Sequence, residues 1–212
     1  RQNTGDGRDV LSGIENANGG GGNDYIIGNS GANILNGGTG NDILDGGMGN
    51  DRLVGGAGID TALFSARANR INLGSGAIQN TGDGRDILTG IENVNGGSGH
   101  DFITGNSAAN ALVGGKGNDT LNGGLGDDRL IGGAGIDIAL FSARDNRISL
   151  RHTVRQNTGD GRDVLSGIEN VNGGGGNDYI IGNSGANTLN GETGNDRLVG
   201  GNGNDRLNGG LG

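Results

Sequence analysis

Aspartate returns at a fixed interval along this chain. Asp24, Asp42, Asp51 and Asp60 form one run, Asp101, Asp119, Asp128 and Asp137 a second, and Asp178, Asp196 and Asp205 a third, with gaps of nine residues or twice nine. Asn33, Asn110 and Asn187 fill the remaining places of the series. Each sits among glycines, so the oxygens on offer are carboxylates, amides and backbone carbonyls. The 212 residues include no Cys and two His, which excludes thiolate metals and leaves no imidazole cage. Six to eight oxygen ligands suit a hard cation. Ca²⁺ is favoured over Mg²⁺, which keeps its waters and demands a strict octahedron. The plain alternative is that Asp caps a turn. That reading fits poorly, because 11 of 14 places are Asp, the other three are Asn, and Ser or Thr never enters.

The elements that would position these residues follow from the rest of the period. The repeat reads G-G-x-G-x-D-x-U-x, with U aliphatic, in blocks 19–63, 96–140 and 173–212. Glycine at positions 1, 2 and 4 permits a tight turn with φ > 0. Positions 7 to 9 form a short strand whose alternation sends position 8 to one face. Position 8 holds Ile26, Leu35, Leu44, Leu53, Ile103, Leu112, Leu121, Leu130, Ile180, Leu189, Leu198 and Leu207. Ala62 and Ala139 taper this row, with Phe64 and Phe141 next in sequence to cover the narrowing. Two half-turns make an 18-residue coil whose strands alternate between two parallel sheets. Turns one coil apart then lie about 4.8 Å from each other. Carboxylates facing one another across that step repel unless a cation lies between them.

A longer repeat contains the short one. QNTGDGRD begins at Gln2, Gln79 and Gln156, so units of 77 residues run over about 2–78, 79–155 and 156–212, the last incomplete. One continuous array over 1–212 is expected, drawn from a longer protein, with further coils stacked on both ends. The connectors should continue the coil. TGDGRDVLS (4–12) keeps Asp9 at position 6 and Leu11 at position 8, and GIENAN (13–18) is a shortened half-turn with Glu15 in the turn and Ala17 inward. SARANRINL (65–73) is also nine long, and the route through 64–80 and 141–157 does not follow from the pattern.

These nonapeptides resemble the repeats-in-toxin (RTX) family, also called hemolysin-type calcium-binding repeats, over about two-thirds of the chain. The resemblance implies an all-β, right-handed parallel β-roll, a β-solenoid with Ca²⁺ in its turns. It also implies that positions 2, 4 and 6 of one motif and 1, 3 and 6 of the motif two further on hold each ion, with backbone carbonyls at all but position 6. On this chain the carboxylate pairs would be Asp24 with Asp42, Asp42 with Asp60, Asp101 with Asp119, Asp119 with Asp137, and Asp178 with Asp196. The carbonyls would come from Gly20, Gly22, Gly37 and Thr39, and from Gly38, Gly40, Gly55 and Ala57. Gly97, Gly99, Gly114 and Lys116, then Gly115, Gly117, Gly132 and Ala134, and then Gly174, Gly176, Gly191 and Thr193 repeat the set. On the opposite edge Asn33 faces Asp51, Asn110 faces Asp128 and Asn187 faces Asp205; Asn gives an oxygen without charge, so these sites should be weaker. Asp9, Asp86 and Asp163 would pair with Asp24, Asp101 and Asp178 as extra sites.

Composition narrows the function classes. Gly makes up 53 of 212 residues, against a usual share of about 7%. The hydrophobic fraction of 30% is too small for the wide apolar pocket of a large enzyme. A net charge of −9 speaks against nucleic acid and for a cationic partner. No apolar run suffices for a membrane span. G-x-G-x-x-G matches carry no weight in so Gly-rich a chain, and none opens a helix. His100 and His152 fall at unrelated places, Glu15, Glu92 and Glu169 have no catalytic partner, and the Asn118-Asp119-Thr120 sequon lies inside a metal turn. Arg8, Arg85 and Arg162 neutralise neighbouring acidic turns. Thr forms no stacked row, which argues against ice binding. The expectation is a non-enzymatic, secreted or cell-surface bacterial segment that folds on Ca²⁺ and serves a structural or adhesive role. The alternative is the Ca²⁺-triggered folding module of a larger extracellular enzyme or toxin.

Overall fold

The computed structural model describes residues 2–3, 10–65 and 67–212, which form two compact units, Arg1–Ile103 and Thr104–Gly212. Among the described residues there is no helix, and strands of two to six residues succeed one another throughout. Alternate strands pair in parallel, as an 18-residue coil requires. In the first unit Asn16–Gly21, Ile34–Thr39 and Arg52–Ala57 form one sheet, with Ala17, Leu35 and Leu53 in register. Tyr25–Ile27, Ile43–Asp45, Thr61–Leu63 and Asn93–Asn95 form the facing one, with Ile26, Leu44, Ala62 and Val94 in register. In the second unit Thr120–Asn122, Ile138–Leu140, Asn170–Asn172, Thr188–Asn190 and Arg206–Asn208 pair successively. Ala111–Lys116 and Arg129–Ala134 lie in one facing sheet, and Arg147–Ser149, Tyr179–Ile181 and Arg197–Val199 in another.

In each unit the core is built from position-8 side chains. Ile26, Leu35, Leu44, Ala62, Ile103, Leu112, Leu121, Leu130, Ala139, Ile180 and Leu189 are wholly buried. Burial of each such Leu or Ile stabilises the roll by about 1.5–3 kcal/mol. Of the two Phe residues expected to cover the narrowing, Phe141 is buried and Phe64 half-buried, and both occupy position 1 of a turn. Leu198 is half-buried and Leu207 is 47% exposed.

The connectors do continue the coil, but out of order. The nine-residue phase runs unbroken past Asp60, so the half-turn is 64–72, with Asn69 at position 6 and Ile71 buried at position 8. That corrects the expected 65–73. This half-turn does not stack on the turn 46–51. The strand Arg85–Thr89 takes that place, with Leu88 paired to Leu53. Gly84 lies against the Gly49 carbonyl on one side of the inserted turn, and Gly82 lies against the Ala68 carbonyl on the other. The spatial order of turns is therefore 46–51, 81–86, 64–69, 96–101.

A return loop makes this exchange possible. Gln79–Asn80 runs antiparallel to Arg85–Thr89, and the Gln79 side-chain amide takes the Asn72 N–H at 2.7 Å and donates to its carbonyl at 3.3 Å. The second unit repeats the device. Gln156–Asn157 runs antiparallel to Arg162–Ser166, Leu165 pairs with Leu130, and Gly161 lies against the Gly126 carbonyl.

Candidate metal centre

Each position-6 carboxylate links two successive turns. One oxygen accepts the position-6 N–H of the turn before it: Asp42 from Asp24 at 2.8 Å, Asp60 from Asp42 at 2.7 Å, and Asp51 from Asn33 at 2.8 Å. In the second unit Asp137 accepts from Asp119, Asp128 from Asn110 and Asp196 from Asp178 at 2.8 Å, and Asp205 from Asn187 at 3.0 Å. The other oxygen is left over. Oδ2 of Asp42, Asp51, Asp60, Asp128, Asp137, Asp178 and Asp196 is buried and receives no hydrogen bond. A buried anionic oxygen in that state is costly unless a positive charge meets it.

Backbone oxygens point at the same places. A side chain on Gly37 would strike both Asp42 Oδ2 and the Gly55 carbonyl. The Gly20 and Gly22 carbonyls face Gly38 and Gly40, those of Gly38 and Gly40 face Gly56 and Gly58, and the Ala57 carbonyl points back to the Gly40 N–H at 2.8 Å. In the second unit the Gly115 and Gly117 carbonyls face Gly133 and Gly135, the Ala134 carbonyl meets the Gly117 N–H at 2.8 Å, and Gly176 faces Gly194. Gly38 and Gly40 adopt φ of 112° and 122°, a region that L side chains avoid, and this turns their carbonyls along the stack. Oxygens of positions 2, 4 and 6 of one turn and 1, 3 and 6 of the next thus enter one step. Among the described residues no three acidic or imidazole side chains gather, so any ion here must rely on backbone carbonyls. That donor set fits Ca²⁺.

The electrostatics agree. Burial pushes Asp51 up to about 6, Asp128 to about 7 and Asp137 to about 6, with neighbouring carboxylates Asp86, Asp163 and Asp119 adding repulsion and a backbone N–H opposing it in each case. Asp60, Asp86, Asp163 and Asp178 are raised for the same leading reason.

Several expected sites shift with the threading. Asp86 serves the Asp51 N–H at 2.7 Å and Asp163 the Asp128 N–H at 2.8 Å, so neither precedes Asp101 or Asp178 as expected. Asn69 and Asn146 take those places, giving their N–H to Asp101 at 2.7 Å and to Asp178 at 2.8 Å. The chain exchange is the cause, because it inserts the turns 81–86 and 158–163 one step early. Asp101 lies in the first unit and Asp119 in the second; Asp9 falls outside the described residues. Glu92 and Glu169 stand in the place of the position-6 Asp in the shortened half-turns, accepting the Asp60 and Asp137 N–H groups at 2.9 Å. Their longer side chains compensate for a half-turn three residues short. Asn33 folds onto its own turn, accepting the Asn29 N–H at 2.9 Å.

Stacked nine-residue half-turns with buried oxygen cages between them define a calcium-binding parallel β-roll. The profile of the RTX calcium-binding nonapeptide repeat family matches residues 9–44, 27–62, 80–115, 104–139, 163–198 and 181–212, and the chain belongs to that family. No curated protein matches the chain.

Proposed function

We propose that this chain is a secreted or cell-surface structural segment that stays unfolded at low Ca²⁺ and becomes a rigid roll when the ion is bound. The observation that carries the reading is the set of buried carboxylate oxygens without donors, set in a chain of net charge −9. Ion binding and folding are linked when the site does not exist in the unfolded chain. The ligand steps we assign are Asp24–Asp42, Asp42–Asp60, Asn33–Asp51 and Asp51–Asp86 in the first unit. In the second they are Asp119–Asp137, Asn110–Asp128, Asp128–Asp163, Asp178–Asp196 and Asn187–Asp205.

The repetition of a 77-residue unit supports a rod, surface layer or adhesive array over a catalytic role. Further repeats, in the same or a neighbouring chain, are the partners this reading expects. A second reading makes the segment the folding module of a larger extracellular enzyme or toxin; the full gene decides between them, through the presence or absence of a catalytic or pore-forming region. Circular dichroism in EGTA and in ~1–10 mM Ca²⁺, the range of extracellular modules, tests the shared premise. Strand signal should appear only with the ion, and equal strand content in both conditions overturns it.

A further inference from the structure

At the point where the chain order is exchanged, an asparagine amide stands where the neighbouring steps offer an oxygen cage. Asn69 Nδ2 donates to the Arg67 carbonyl at 2.7 Å, the Gly96 carbonyl at 2.9 Å and Asp101 Oδ1 at 3.0 Å. In the phase of the repeat these acceptors are position 4 of one turn and positions 1 and 6 of the next. They are three of the oxygens that would ligate an ion in an ordinary step. Asn146 Nδ2 does the same, reaching the Arg144 carbonyl at 2.6 Å, the Gly173 carbonyl at 2.9 Å and Asp178 Oδ1 at 2.9 Å.

We propose that Asn69 and Asn146 are built-in substitutes for Ca²⁺, so that one step at each of the two chain exchanges is closed by an amide and takes no ion. The proposal rests on the calcium reading above. The amide orientation follows from the acceptors: an oxygen turned toward three oxygens would be repelled, whereas an NH₂ group satisfies them. The cost is an amide oxygen buried without a donor at both residues. The adjoining step is also stitched by side chains. Asp83 accepts the Ser65 N–H at 3.0 Å and hydroxyl at 2.7 Å, and Thr81 donates to the Asp86 oxygen that would otherwise face a cation. Asp160 with Ser142, and Thr158 with Asp163, repeat this in the second unit.

The physical sense lies in the amide itself. The turns 64–69 and 141–146 carry Phe, Ser and Arg at positions 1, 2 and 4, where most other turns carry Gly, yet the Ser65 and Arg67 carbonyls still face Gly97 and Gly99 as in an ordinary step. The neutral amide spares this step a second carboxylate and its repulsion.

Anomalous diffraction from calcium-loaded crystals of the intact chain tests the proposal directly. Peaks are expected in steps such as Asp42–Asp60 and Asp119–Asp137, and none between Asn69 and Asp101 or between Asn146 and Asp178. A peak at either asparagine step overturns the proposal while leaving the calcium reading intact; no peak anywhere sinks both. In solution, Asn69→Asp with Asn146→Asp should add two bound ions per chain by equilibrium dialysis. An unchanged number in a folded double variant also overturns it. If that variant does not fold, the wild-type map alone decides.

Discussion

The main-chain N–H of Asp51 donates to Asp86 Oδ1 at 2.7 Å, although 35 residues separate them and the repeat period would have joined residues 18 apart. The bond marks the place where the roll departs from sequential stacking. Its neighbour is the tightest approach in that turn, Gly84 against the Gly49 carbonyl.

Replacing Gly84 by Ala should therefore separate the turns 46–51 and 81–86. The added methyl meets backbone, which cannot rotate away, so a loss of about 1–3 kcal/mol is expected, the range for overpacking. Gly76→Ala is the control, since a side chain there meets open space. Thermal melts in saturating Ca²⁺ should show a lower midpoint for Gly84→Ala alone; equal midpoints would mean that the inserted turn does not sit where described.

Acidity should act on the ion-free and ion-bound rolls in opposite directions. Asp51, Asp128 and Asp137 are raised from 3.8 to about 6, 7 and 6, so over the interval between these values the folded roll holds more protons than the unfolded chain. The stability this confers on the ion-free fold is fully present below the unfolded pKa and is lost as pH rises through the folded values. In a chain that is unfolded at low Ca²⁺ these carboxylates start ionised, so above about pH 5 the Ca²⁺ midpoint of folding should vary little with pH and binding should release few protons. As pH falls toward the unfolded value the ion must displace protons, and the midpoint should rise. A large proton release at about pH 6.5 would show instead that the ion-free roll is already folded before calcium binds.

Most of this architecture can be read from the spacing of a few residue types. The buried position-8 residues of each unit, such as Ile26 and Leu44 in the first and Leu121 and Leu189 in the second, are legible because position 8 is aliphatic in every motif and one face of a short strand must be buried. The acidic columns are legible because Asp42 and Asp60 recur at the length of one coil. The exchange at 64–86 is not legible, because periodicity specifies phase but not which turn stacks on which. Asn69 keeps phase with Asp60, and Asp86 keeps its own motif, yet the return loop between them decides their spatial order. Asn69 lacks the glycine surroundings that draw attention elsewhere. Counting nines onward from Asp60 was the one available signal.

A local strain offers a cleaner test of the turn geometry. Glu192 occupies position 2 of its motif with φ of 75°, where the other G-G-x-G-x-D nonapeptides place Gly and those with Asn33, Asn110 and Asn187 place Asn. A left-handed conformation costs an L residue about 1–2 kcal/mol. The Glu192 side chain recovers part of this by accepting the Asn172 amide at 2.8 Å. Glu192→Gly should lower the Ca²⁺ midpoint of folding, whereas Glu192→Val, which keeps the strain and removes the acceptor, should raise it. Shifts of the same sign would show that strain is not the governing effect.

The two kinds of position-6 residue should differ most clearly when each is removed. Asp42 gives one oxygen to the Asp24 N–H, keeps Oδ2 beside the Gly55 carbonyl, and stands between two ligand steps, 19–24 with 37–42 and 37–42 with 55–60. Asn33 is uncharged, and its amide is engaged with Asn29 of its own turn at 2.9 and 3.2 Å. Asp42→Ala removes an anionic ligand from two cages at once, and the cations they hold lose about half of their formal countercharge. Asn33→Ala removes a neutral oxygen from one cage. A rise of about tenfold or more in the Ca²⁺ midpoint is expected for Asp42→Ala, equivalent to ~1.4 kcal/mol, with a much smaller rise for Asn33→Ala. Asn33→Asp should move the midpoint the other way, because the second carboxylate completes a charged pair with Asp51. Titrations followed by circular dichroism rank the three variants. If Asn33→Ala proves as damaging as Asp42→Ala, the two columns bind calcium alike and the amide at position 33 is a full ligand.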